Sequence, residues 1–141
     1  MDGFFMPGEF EPHRGCILIW PFRPGSWNYG AEPAREAFRQ VIWAIARSEK
    51  VWVAAGKDCL DSARRMLLEE GEAMGQPRQV LERIEIFEAE TDDSWARDVG
   101  PTFLKNGEGQ VRCVNWEFNA WGGEEDGLYA HWEKDNAFAK A

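Results

Sequence analysis

The chain of 141 residues carries 25 acids against 16 bases, a formal net charge of -9, with 44% hydrophobic and 29% charged residues. A domain of this size buries roughly 70% of its unfolded surface, so a genuine core is available and disorder over most of the length is excluded. The summed field repels phosphate backbones and anionic lipid and attracts small cations, which argues against nucleic acid and membrane surfaces as partners.

Residues 15–21 (GCILIWP) form a nearly continuous apolar run with prolines nearby, which predicts a strand buried on both faces. Residues 22–32 are turn chemistry, with Pro24, Gly25, Asn28 and Gly30 close together and Trp27 and Tyr29 carried along. Pro33 then suits a first helical position, and Ala34, Phe38, Val41, Ile42 and Ile45 recur at helical spacing. On that helix Glu36, Arg39, Gln40 and Arg47 take the other side, and Trp43 falls among them, so the indole is expected to face outward. It would either lie flat on neighbouring side chains or meet another protein, which leaves a homo-oligomer open.

Residues 50–55 (KVWVAA) predict a second strand, Asp58 a cap, and residues 60–70 a second helix with Ala63, Met66 and Leu67 inward. A polar connection over 71–79 leads to a third strand within 83–90, with Ile84, Ile86 and Ala89 as its apolar positions. Residues 102–104 and 111–116 flank Asn106-Gly107-Glu108-Gly109, a hairpin signal. A helical pattern begins at Leu128 and the chain stops inside it, as if cut. The order strand, helix, strand, helix, strand, hairpin predicts a mixed α/β domain.

Cys16, Cys59 and Cys113 are odd in number, widely spaced and accompanied by only His13 and His131, so neither a disulfide framework nor a metal site is expected. All three are expected to be structural, and His13 to be packed or hydrogen-bonded. The first residues lack a basic segment followed by a long apolar one, and no later run is long enough to span a membrane, so cytoplasm is the expected location.

The densest chemistry lies at Asp92-Asp93-Ser94-Trp95-Ala96-Arg97-Asp98-Val99-Gly100-Pro101. A carboxylate suits a planar guanidinium because two oxygens accept two parallel N–H bonds, and an indole face can hold the cation from another side. Residues three apart on a straight strand point to opposite faces, so Trp95 and Asp98 converge only on a turn, which Gly100-Pro101 makes plausible. The competing reading is an ion pair or turn cap formed by Arg97 and Asp98.

The phrases Met6-Pro7-Gly8-Glu9-Phe10-Glu11-Pro12-His13, Trp20-Pro21, residues 93–101 and Trp116-Glu117-Phe118-Asn119-Ala120-Trp121-Gly122-Gly123 together resemble the N-terminal part of agmatine deiminase. That resemblance implies that residues 1–141 are the N-terminal part of a single domain, a partial pentein of ββαβ units around a pseudo-fivefold axis. It implies hydrolysis of agmatine to N-carbamoylputrescine and ammonia without metal or organic cofactor, through a cysteine thiouronium intermediate. It also places Trp95 and Asp98 at the substrate guanidinium, Asp98 as a catalytic group binding its nitrogens, with Trp121 flanking the aliphatic tail and Asp92 and Asp93 shaping the turn. The family's histidine and cysteine motifs are not in this sequence, so the chain alone is expected to be inactive. Two alternatives stand beside this reading: a bacterial-type peptidyl-arginine deiminase, and a non-catalytic module for sugars or peptides using Trp27, Trp116, Trp121 and Trp132 as stacking platforms.

Overall fold

The computed structural model describes residues 3–12 and 14–141, so the expectation for His13 lies outside the described residues. Strands β1 (Gly15–Ile19), β2 (Lys50–Ala55) and β3 (Ile84–Glu88) form a parallel sheet in sequential order. Register runs from Gly15 opposite Lys50 to Ile19 opposite Ala54, and from Val51 opposite Ile84 to Ala55 opposite Glu88. Helix α1 (Ala31–Ala46) connects β1 to β2. The second crossover is broken into a 3-10 turn (Lys57–Cys59), α2 (Leu60–Arg64), a π turn (Arg65–Glu69), α3 (Glu70–Ala73) and α4 (Arg78–Leu81). After β3 come α5 (Ala96–Val99), an antiparallel hairpin of β4 (Thr102–Lys105) and β5 (Val111–Val114), α6 (Gly123–Asp126), α7 (Glu133–Ala137) and a closing 3-10 turn.

Strand β2 is buried on both faces and divides the interior in two. Val51, Val53 and Ala55 face the helices, where they pack with Ile42, Trp43 and Ala46 of α1 and with Ala63, Met66 and Leu67 of the second crossover. Ala54 faces the other way, into a smaller core of Ile19, Ala89, Val99, Phe118, Ala120, Tyr129 and Phe138. The alternation is the pleat of a strand sandwiched between two layers. That smaller core carries the candidate site.

Strand β1 departs from its expected two-sided burial. It is an edge strand, and within it only Ile19 is fully buried. Helix α1 begins two residues before Pro33, with Gly30 at its N-cap. Its buried stripe runs through Ala31, Ala34, Arg39, Ile42, Trp43 and Ala46, while Val41 is 48% exposed.

The outward Trp43 is therefore corrected: it is only 2% exposed, and the interface with another protein that it suggested has no support from its position. Its indole N–H donates to the Leu67 carbonyl at 2.9 Å, and the Arg39 guanidinium lies 5.0 Å from its ring. Arg39 is itself buried, with its guanidinium over the indole and paired with Glu36 and Glu70. The Leu67 carbonyl lies inside the π turn, where the helical hydrogen-bond ladder is loosened and a side-chain donor can enter. Gly71 makes room, since a Cβ there would sit 3.1 Å from the edge of the Trp43 ring.

Asp58 caps nothing. Neither the 3-10 turn nor α2 has a side-chain cap, and the Lys57 N–H reaches Glu90 at 2.9 Å instead. The expected hairpin is present, with Asn106 Oδ1 accepting from the Glu108 and Gln110 N–H groups and Gly109 at φ +79°. The C-terminal helical pattern is realised only from Glu133 onward.

That late start reflects a carboxylate clasp. Asp135 is fully buried and accepts the Asp92 N–H at 2.8 Å, the Asp93 N–H at 3.3 Å and the Tyr129 hydroxyl. In return Asp92 Oδ2 accepts the Lys134 and Asp135 N–H groups at 2.9 and 3.3 Å, occupying orphan donors in the first turn of α7. Burial raises the Asp135 pKa above the ordinary carboxylate range, against the lowering effect of its three donors. Burial also pushes the Tyr129 hydroxyl well above its usual value, helped by its bond to Asp135.

Two outcomes are expected from denaturant unfolding. Trp43→Ala removes a buried ring and one hydrogen bond and should cost about 3 to 5 kcal/mol, with no change of oligomer size on a sizing column. For Asp135, a folded pKa above the unfolded value means that its contribution is fully present below an unfolded pKa of about 3.9 and is lost as pH rises through the folded value. Asp135→Asn should remove that component, so the stability difference between variant and parent changes with pH across that window. A pH-independent difference would show that the carboxyl does not titrate there.

Candidate functional site

Loop 89–95 leaves β3 and enters α5 through Trp95, whose carbonyl accepts the Asp98 N–H at 2.9 Å and the Val99 N–H at 3.0 Å. One helical turn thus replaces the strand geometry that would have sent Trp95 and Asp98 to opposite faces. The turn closes on Gly100. A Cβ at that position would lie 2.5 Å from the Ala96 carbonyl oxygen, so the backbone can double back there only without a side chain.

The carboxylates of this stretch divide their work. Asp93 is 1% exposed: its Oδ1 accepts the Ser94 N–H at 2.8 Å, and its Oδ2 accepts the Trp95 indole N–H at 3.1 Å and the Ser26 hydroxyl. Asp92 and Asp93 are thus absorbed in shaping the loop. Asp98 is exposed, with Oδ1 accepting the Trp121 indole N–H at 3.2 Å. Arg97 makes its ion pair with Glu9 at 2.6 Å rather than with Asp98, holding the Glu9 carboxyl below its ordinary range.

Trp121 arrives from the loop after β5. Ala120 and Trp121 both adopt left-handed backbone, at φ 54° and 66°. Such conformations cost non-glycine residues on the order of 1 kcal/mol or more each. They are held by complete burial of Ala120 and by the Leu128 N–H bonded to its carbonyl at 3.0 Å. The Trp121 ring then meets three aromatic rings edge to face: Trp95 at 5.1 Å, Phe118 at 5.1 Å and Tyr129 at 6.4 Å. The Arg23 guanidinium lies 4.5 Å from the Tyr129 ring centroid.

Trp95, Asp98 and Trp121 are therefore brought together, with the two indoles 38% and 49% exposed. Residues 94–98, with Arg97 among them, also line a groove of about 290 Å3 together with Ile17, Leu18, Ile19 and Phe38, whereas Trp121 stands outside it. The wider platform of exposed indoles suggested for a sugar or peptide module does not assemble. Trp27 is paired with Phe38, Trp116 donates its indole N–H to Thr102 at 2.9 Å, and Trp132 packs against the smaller core.

Tyr129, Asp135 and Ser26 complete the support, and nothing in the sequence marks them. The partners of Asp135 and Ser26 lie 42, 43 and 67 residues away along the chain, and Tyr129 meets Asp135 six residues on within a run whose pattern reads as an ordinary helix.

None of the three cysteines stands in this cluster. Cys16 is half-buried in β1, where burial and then Glu49 push its thiol pKa upward, the opposite of what a nucleophile requires. Cys59 packs against the larger core. Cys113 is exposed on the hairpin, which corrects the structural role expected of it. Among the described residues, no group of three or more His, Cys, Asp or Glu side chains is arranged to hold a metal ion. No helix among them is long and apolar enough to cross a membrane.

The chain is 45% identical over 138 residues to agmatine deiminase of Pseudomonas putida, an alignment covering 98% of the chain and 34% of that protein. It is 44% identical over 139 residues to agmatine deiminase of Pseudomonas aeruginosa, covering 99% and 34%. Among solved structures, agmatine deiminase of Enterococcus faecalis matches with a TM-score of 0.83 and 40% identity, covering 99% of the chain and 34% of that structure. The chain thus spans about a third of the length of these relatives, and the α/β unit described above is part of a pentein. The sequence profile of Porphyromonas-type peptidyl-arginine deiminase matches residues 5–141, nearly the whole chain, and the chain belongs to that family.

Proposed function

We propose that residues 1–141 form part of a single agmatine deiminase domain and supply the side of its site that holds the substrate guanidinium. The observation that carries this reading is the meeting of one exposed carboxylate, Asp98, with two partly exposed indoles, Trp95 and Trp121. Asp98 accepts N–H bonds from the guanidinium, Trp95 flanks the planar head, and Trp121 lies along the aliphatic tail. The Trp121 N–H already engages one Asp98 oxygen, which fixes the carboxylate's orientation before any ligand arrives.

The chemistry then asks for a nucleophile that the three cysteines here do not provide. A guanidinium carbon is a poor electrophile, so attack requires a thiolate and an oriented substrate. In the complete enzyme a thiolate adds to that carbon, the C–N bond to the departing nitrogen breaks with release of ammonia, and water opens the resulting thiouronium to give N-carbamoylputrescine. Asp98 keeps the positive charge localised and the plane fixed while the S–C bond forms. No cofactor enters these steps. The complete protein is a cytoplasmic enzyme of polyamine synthesis whose partner is a small cation rather than nucleic acid. Self-association remains open to it, although Trp43 gives it no support.

A peptidyl-arginine substrate is the second reading, favoured by the description of the family itself. The acidic run Glu124-Glu125-Asp126, which follows Trp121 after Gly122 and Gly123, disfavours a substrate that carries its own carboxylate.

In the full-length enzyme Asp98→Asn should lower turnover of agmatine by about a hundredfold to a thousandfold, while the unfolding midpoint stays near that of the parent because Asp98 is exposed. Near-normal turnover would remove Asp98 from the reaction. The 141 residues alone should release no ammonia from agmatine in a coupled assay, and measurable release would place the nucleophile within this chain.

A further inference from the structure

We propose that Asp93 is a positioning residue: its buried carboxylate fixes the orientation of the Trp95 indole, and Ser26 steadies that carboxylate from the loop after β1. The assignment rests on the reading of Trp95 and Asp98 given above and deepens it.

Asp93 is 1% exposed, and its hydrogen-bond partners among the described residues are the Ser94 N–H, the Trp95 indole N–H and the Ser26 hydroxyl. A carboxylate taken out of water is costly unless several donors surround it, and a neutral acceptor would satisfy an indole N–H at less expense. What the carboxylate adds is direction. Oδ1 is held by the backbone of the next residue at 2.8 Å, so the plane of the group is set, and Oδ2 can then aim the indole 3.1 Å away.

Trp95 is pinned at its N–H by Asp93 and meets Trp121 edge to face at 5.1 Å with an 85° interplanar angle. Two such contacts leave the ring little freedom about its χ angles. Ser26 shares Oδ2 with Trp95 and belongs to the 3-10 turn Pro24–Ser26, so the loop after β1 also determines where that oxygen sits. A flanking indole that rocks would bind the guanidinium less tightly, because part of the binding energy would be lost to ordering the ring.

The test is a double-substitution cycle in the full-length enzyme with agmatine as the probe, reading kcat and KM separately. Trp95→Phe keeps a ring and removes the N–H, and Asp93→Asn keeps the shape and removes the charge. Each should raise KM by about tenfold, and the double variant should stay within about twofold of either single one. Multiplicative effects overturn the proposal, as does a fall in kcat at unchanged KM, which is the mark of a smaller folded fraction. Because Asp93→Asn changes a buried group and can fail to fold, the exposed Ser26→Ala provides a second route. It should raise KM by about threefold in the parent and leave KM unchanged in Trp95→Phe, and an equal rise in both backgrounds overturns the assignment. Asp98→Asn measured alongside separates the two kinds of failure. A crippled Asp98→Asn enzyme with multiplicative Asp93 and Trp95 effects overturns only the positioning role, whereas a fully active one overturns the site reading and the positioning role with it.

Discussion

Two buried carboxylates, Asp93 and Asp135, hold together segments that have no strand or helix ladder in common. Each is satisfied largely by backbone N–H groups, hydroxyls and an indole, and among the described residues neither is paired with a cation. A buried ion pair needs two long side chains to be ordered, whereas backbone donors are already fixed by the fold around them. The loop after β1, the loop after β3 and the start of α7 are joined in this way. Trp95 rests on Asp93, while Tyr129, anchored to Asp135, packs edge to face against Trp121. The exposed carboxylate of Asp98 therefore sits in a frame of rings whose anchors lie below the surface.

The division of the interior by β2 makes that arrangement possible. The helices bury the larger core on one face of the sheet, so the second face can be covered by short turns and loops rather than by a regular element. Irregular backbone needs its polar groups satisfied one at a time, and the clasp between residues 92–93 and 134–135 does this where secondary structure does not. The left-handed pair Ala120 and Trp121 belongs to the same layer and is tolerated because the surrounding packing determines it.

The sheet, its two crossovers and the hairpin were legible because apolar runs, helical spacing and an Asn-Gly turn are local signals. The meeting of Trp95 with Asp98 was legible for a similar reason, since the Gly100-Pro101 stop that begins two residues after Asp98 favours a turn. Rotation of α1 was not. Trp43 and Arg39 read as outward-facing, yet the indole N–H finds a carbonyl in a π turn and two of the three guanidinium nitrogens find carboxylates, so most of the polar atoms that would have remained in water have partners inside. Periodicity ranks residues by polarity and is blind to a partner 24 residues away. Asp135 escaped for the same reason: within Glu133-Lys134-Asp135-Asn136 it resembles any solvated acid, and its burial is decided by the distant N–H groups of Asp92 and Asp93.

Strand β1 forms the margin of the parallel sheet, with β2 on one side and, among the described residues, no strand on the other. Its outward row of amides and carbonyls is a template for strand addition, and the groove beside it carries apolar side chains from Ile17, Leu18 and Ile19. A margin of that kind is adhesive wherever it is left bare. Concentrated solutions of these 141 residues would accordingly tend to join edge to edge, and a polypeptide lying along the strand would shield the molecule from such self-recognition.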